Sequence, residues 1–157
     1  MIKYIKYFKE LLLSFNMSLE QIAEKGEPVF ADEKVLVVDD LEKWLNTATN
    51  NLVYYGCKRE NILWAYDIKE GERVYLAELP PLVMVDVNFD INNLKDTQGL
   101  VLIPKMKAIE PKGIIVAMSS LIDIRQRTLE VGADYFIQKG KRFTDNFDGF
   151  VEWYKQR

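Results

Sequence analysis

The chain alternates between short runs of apolar, β-prone residues and longer stretches with apolar positions at helical spacing. Lys34–Val38 reads as a strand, and Leu41–Tyr55 as a helix with Trp44, Leu45, Leu52 and Tyr55 on one side. Asn61–Tyr66 is strand-like, and Lys69–Glu78 is a helix ended by Pro80 and Pro81. Leu82–Val87 is the next strand; a polar stretch, Asn88–Gln98, leads through Gly99 into a helix over Leu100–Ile109. Gly113–Met118, Ile122–Val131, Asp134–Gln138 and Phe143–Lys155 follow as strand, helix, strand and helix. Five β/α units in succession predict an α/β fold with a five-stranded parallel sheet covered on both faces. Val35–Val38, Leu82–Val85 and Ile114–Met118 are almost wholly apolar, as central strands should be, whereas the mixed Asn61–Tyr66 suits an edge.

Residues 1–33 stand outside this alternation. Tyr4, Ile5, Phe8, Leu11, Leu12 and Phe15 cluster within roughly 160° of a helical wheel, and Lys3, Lys6 and Glu10 face away. Ser18 with Gln21 suggests a second, short helix ended by Gly26 and Pro28. The stripe is too apolar for water: it packs on its own domain or on a second copy, inserts into a membrane surface, or docks on another protein. Packing or self-association, including a homodimer through this helix, is preferred to the membrane. The expected division is residues 1–33 as an extension and 34–157 as the domain.

Composition narrows the chemistry. The 157 residues are 48% apolar and 29% charged, with net charge −3, which calls for no nucleic-acid partner. Cys57 is the sole cysteine, so neither an internal disulfide nor a thiolate metal cluster can form. The chain has no histidine, which removes imidazole catalysis, His-ligated zinc and a phosphohistidine on this chain. Lysines at positions 3, 6 and 9 interrupt the apolar start, and no small-residue cleavage site follows, so a cytoplasmic protein is expected.

What remains is carboxylates, hydroxyls and lysine, and they fall at strand ends. Asp39 and Asp40 follow the first strand, Asp86 closes the third, Ser119 the fourth, and Lys139 lies just past the fifth. Ligands of open parallel sheets bind at that carboxyl edge. Converging carboxylates repel unless a cation or protons intervene, and magnesium is the natural hard-oxygen cation, often shared with phosphate. Taken singly, the aspartates suit turns and caps, the serines a helix cap, and Lys139 a solvated loop. Their joint placement points to a site for a metal ion and a phosphoryl group.

The chain resembles a response-regulator receiver domain of two-component signalling from Lys34 to Arg157. Val-Leu-Val-Val-Asp-Asp, Val-Asp-Val-Asn, Ile-Ile-Val-Ala-Met-Ser-Ser and Gly-Ala-Asp-Tyr-Phe-Ile-Gln-Lys carry the resemblance. The spacings of 46 positions from Asp40 to Asp86, 33 to Ser119 and 20 to Lys139 agree with it. The resemblance implies a flavodoxin-like doubly wound sheet in the order 2-1-3-4-5. It implies Asp86 as acceptor of a phosphoryl group from a histidine kinase or phosphotransfer protein. Asp40 and Asp86 match magnesium ligands, Asp39 an acid acting on the ion through water, and Asn88 the position giving a backbone carbonyl. Ser119 matches the hydroxyl that moves toward the phosphate, Lys139 the lysine that pairs with it, and Phe136 an aromatic rotamer switch. Catalysis would be limited to the protein's own phosphorylation and dephosphorylation. Only 18 residues follow Lys139, so the expected output is contact with a downstream protein target.

Three departures mark this chain. Gly140 stands where the family usually has proline, so a cis peptide is not expected there. The loop between Asp86 and Gly99 is long; its Asp90 and Asp96 read as solvated rather than metal-binding. Asn88 and Leu121 occupy the two positions beside the path of a hydrolytic water, and Leu121 cannot orient one, which predicts a long-lived phosphoryl state. Two other functions compete: a receiver-like scaffold or dimerisation module that works without phosphorylation, and a phosphatase with an aspartyl nucleophile. The latter needs a second acid two residues after the nucleophile, where Asn88 stands.

Overall fold

A computed structural model describes residues 28–89 and 97–157. Five strands, β1 (Val35–Val38), β2 (Ile62–Ala65), β3 (Leu82–Asp86), β4 (Ile114–Ser119) and β5 (Tyr135–Gln138), form one sheet in the order β2-β1-β3-β4-β5. All four pairings are parallel. The helices are α1 (Glu42–Tyr54), α2 (Ile68–Glu78), α3 (Gly99–Ile109), α4 (Arg125–Glu130) and α5 (Phe143–Tyr154). The architecture is the expected doubly wound sheet, with β2 at one edge. The predicted N-terminal helices and the acids Asp90 and Asp96 lie outside the described residues.

Alternation along the strands divides the core into two layers. Val35, Val37, Met84, Val116, Met118 and Ile137 face α1 and α5, against Leu45, Leu52, Phe147 and Phe150. Leu36, Val38, Val83, Val85, Ile115, Ala117 and Phe136 face the other way, against Tyr75, Leu102, Ile103 and Met106 of α2 and α3. Each central strand thus needs an apolar residue at every position, which is why periodicity 2 is invisible in their sequences.

Local signals set the element ends. Asp67 caps α2 by accepting from the Glu70 backbone N–H at 2.8 Å, while Glu70 Oε2 accepts from Tyr66 N at 2.9 Å. Leu79 ends the helix in the left-handed region at φ 43°. The segment Ile122–Val131, expected as one helix, is a 3₁₀ turn over Ile122–Ile124 followed by the six-residue α4. Its entry is shaped by Ser119 Oγ, which accepts from Leu121 N at 3.0 Å and holds the chain in a turn before the helix starts.

Phe30 precedes β1 yet is fully buried. Its ring stacks on Phe150 at 6.0 Å and meets Tyr154 at 5.0 Å, and its N–H donates to Tyr55 O at 3.2 Å. Glu33 adds a bond to the Tyr154 hydroxyl at 3.0 Å. A solitary aromatic in a turn carries no periodic signal, so residues before β1 that complete the core could not be told from linker. Phe30→Ala is expected to destabilise the chain by about 3 kcal/mol, read from the denaturant midpoint at unchanged m-value. A change below about 0.5 kcal/mol would mean that the segment is peripheral.

Candidate functional site

The site grows out of the carboxyl ends of the neighbours β1 and β3 and of β5, which lies beyond β4. Asp39 extends β1 by one ladder bond, its N–H donating to Ala65 O at 3.0 Å. Its side chain is completely buried; Oδ1 accepts from Leu41 N at 3.1 Å and so sets the entry into α1. Asp40 follows on the more open side. Asp86 is the last residue of β3 and only 2% exposed, with Oδ1 accepting from Asn88 N at 3.4 Å. Lys139 lies one residue past β5, its N–H donating to Ser119 O at 2.8 Å. From there its buried side chain reaches back across the sheet edge: Nζ lies 2.5 Å from Asp39 Oδ2 and 2.9 Å from Asp86 Oδ1.

One ammonium therefore serves two buried carboxylates, with a third beside them. An oxygen from each of Asp39, Asp40 and Asp86 falls within 4.8 Å of the others. Burial, the dominant influence, pushes the Asp86 carboxyl up to about 7; Lys139 opposes the rise and Asp39 adds to it. Burial likewise raises Asp39, with Lys139 opposing and Asp40 contributing. Both shifts report an excess of negative charge in a dry place. A set of hard carboxylate oxygens at this spacing fits magnesium, which would neutralise that excess.

Ser119 is also fully buried, at the end of β4. Its hydroxyl donates to Asn88 Oδ1 at 2.7 Å and accepts from Leu121 N. Asn88, named from the sequence for its backbone carbonyl, thus uses its side chain to hold the serine. Phe136, 8% exposed, lies in the layer that contains Ala117 and Ile124, the face to which Ser119 belongs by alternation along β4. The structure gathers Asp39, Asp40, Asp86 and Lys139 into one cluster, pairs Ser119 with Asn88 beside it, and sets Phe136 behind. The Lys139–Gly140 peptide is trans, and Gly140 takes φ +143°, a conformation that favours glycine.

Two contributors escaped the sequence. A Cβ on Gly99 would stand 2.2 Å from Asp86 O and 2.7 Å from Val87 Cα, so the start of α3 touches the backbone of the Asp86 loop. A lone glycine opening a helix was the available clue. Trp44, read as a helix-face residue, places its ring centroid 5.3 Å from Lys139 Nζ.

No protein-family model and no curated protein matches the sequence. Solved structures do. The chain is similar to the receiver domain of NtrX from Brucella abortus, at 23% identity and TM-score 0.64 over 78% of this chain and 98% of that one. It is similar to the chemotaxis protein CheY4 of Vibrio cholerae, at 17% identity and TM-score 0.61 over the same shares. It is also similar to the response regulator TrrA of Thermotoga maritima, in complex with Mg(2+)-BeF, at 19% identity and TM-score 0.64, again over 78% and 98%. Among the described residues no helix is long and apolar enough to cross a membrane. The sheet order, the helices on both faces and these likenesses agree, and the fold of this chain is that of the response-regulator receiver domain.

Proposed function

We propose that the chain is a phosphorylatable receiver, a signalling protein rather than a conventional enzyme. Asp86 accepts a phosphoryl group from a histidine kinase or phosphotransfer protein. The observation that carries this reading is the clasp of one buried lysine by two buried aspartates at the carboxyl edge of the sheet. That the similar TrrA structure is a complex with Mg(2+)-BeF lends it support. Asp39, Asp40 and Asp86, with the Asn88 carbonyl, would hold magnesium, which when bound offsets charge on the phosphoryl oxygens.

The chain's own residues divide the remaining work. The ionised Asp86 carboxylate attacks phosphorus; the new bond is aspartyl O–P, and the bond broken joins phosphorus to the donor, which leaves with the electron pair and gains a proton. Lys139, already beside Asp86 Oδ1, turns to the developing negative charge. Ser119 exchanges its bond to Asn88 for one to a phosphoryl oxygen, and Phe136 repacks behind it. The changed face then engages a downstream protein.

Intact-mass measurement after incubation with magnesium and a small phosphodonor tests the reading. The expected result is a gain of one phosphate that depends on magnesium and maps to Asp86. A mass unchanged under those conditions would favour a scaffold that works without phosphorylation.

The same experiment times the decay. Leu121 is apolar, so the side chain two positions beyond Ser119 cannot aim a water at phosphorus. The phosphorylated form is expected to persist for minutes or longer after the donor is removed. Loss within seconds would contradict this assignment of the two positions.

A further inference from the structure

The Lys139 backbone is fixed by its N–H on Ser119 O at 2.8 Å, so what remains to be positioned is its side chain. A lysine stem has four flexible carbons, and two carboxylates alone leave its ammonium free to pivot between them. The third contact of Nζ is the indole of Trp44. That ring is itself registered to the site: Leu41 N donates to Asp39 Oδ1, and Trp44 N donates to Leu41 O at 2.8 Å. Phe143 at the start of α5 packs against the same ring, at 5.5 Å between centroids. Lys43 Nζ lies 5.2 Å from the same ring, but as an exposed cation it is far more weakly engaged.

We propose that Trp44 is the positioning residue for Lys139: its indole face holds the ammonium against Asp86 and keeps water from it, so that the lysine is aimed before a phosphoryl group arrives. The inference rests on the phosphoryl-acceptor reading of the site. Trp44 touches no reacting atom; it acts through Lys139. A plain packing role between α1 and α5 would also make Trp44 matter for stability, so the test must read the ammonium rather than the fold.

Calorimetric titration with beryllofluoride in the presence of magnesium does so. Leucine at position 44 keeps apolar bulk and removes the π face, whereas phenylalanine keeps a face. W44L is expected to bind the phosphoryl mimic about tenfold more weakly than wild type, and W44F to recover to within about threefold. In a W64F/W153F chain, where Trp44 is the only tryptophan, emission is expected to change on saturation with beryllofluoride as Lys139 turns from the ring. Equal affinities for wild type, W44L and W44F overturn the role of Trp44 and leave the proposed function standing. Wild type that binds no beryllofluoride overturns both. Should W44L not fold, the emission experiment decides, and unchanged emission at saturation overturns the proposal.

Discussion

Asp86→Asn is expected to abolish phosphoryl uptake and, in the same molecule, to make the metal-free chain more stable above neutral pH. The first effect follows from the loss of the nucleophile, since an amide oxygen cannot form the acyl phosphate. The second follows from electrostatics. Burial pushes Asp86 up from the usual 3.8 to about 7, so between those values the folded chain binds a proton that the unfolded chain has released. The stability this confers is complete below about 3.8 and is lost as pH rises through about 7. Above that, the folded state carries two buried carboxylates on one ammonium. Asparagine removes one of them and leaves Lys139 to Asp39 alone, a gain on the order of 2 kcal/mol at about pH 8. Urea titrations from about pH 5 to about pH 8 check it: wild type should weaken across the range more steeply than D86N. Parallel profiles would show that Asp86 ionises without strain.

The second large effect belongs to Gly99→Ala. The added methyl would meet Asp86 O at 2.2 Å and Asp86 C at 3.0 Å, and these are backbone atoms of a strand end, unable to swing aside. Either α3 retreats or the Asp86 loop shifts. The cost to stability is about 1–3 kcal/mol, reduced somewhat by the better helix propensity of alanine. The consequence for chemistry is larger, because displacing Asp86 by about 1 Å is worth a loss on the order of a hundredfold in phosphoryl transfer. Initial rates with a small phosphodonor, set beside denaturant midpoints, separate the two effects. A rate within about twofold of wild type would mean that α3 absorbs the methyl without moving Asp86.

Much of this was legible in the residues. Strands buried on both faces declared themselves as Val35–Val38, Leu82–Val85 and Ile114–Met118, and the acids at the ends of the first two, with Lys139 past the fifth strand, followed from counting positions. The strand order came from resemblance alone, because periodicity says which residues are buried and not which strands are neighbours. Phe30 was opaque because one aromatic in a turn has no pattern. Ile122–Val131 begins where helical spacing places it but opens as a 3₁₀ turn over Ile122–Ile124, a distinction that apolar spacing does not carry. The Asn88–Ser119 bond and the indole over Lys139 join residues 31 and 95 positions apart, contacts that only the assembled sheet edge creates.

Asp86 as the nucleophile that bonds phosphorus and Lys139 as the cation that meets it are the two roles on which the function depends. A crystal structure grown with magnesium and beryllofluoride tests both directly. It should show the fluoroberyllate joined to an Asp86 oxygen, the Lys139 ammonium moved from Asp39 to a fluoride, and the Ser119 hydroxyl released from Asn88. An untouched Asp86, with Lys139 still clasped between the two aspartates at saturating beryllofluoride, would contradict it.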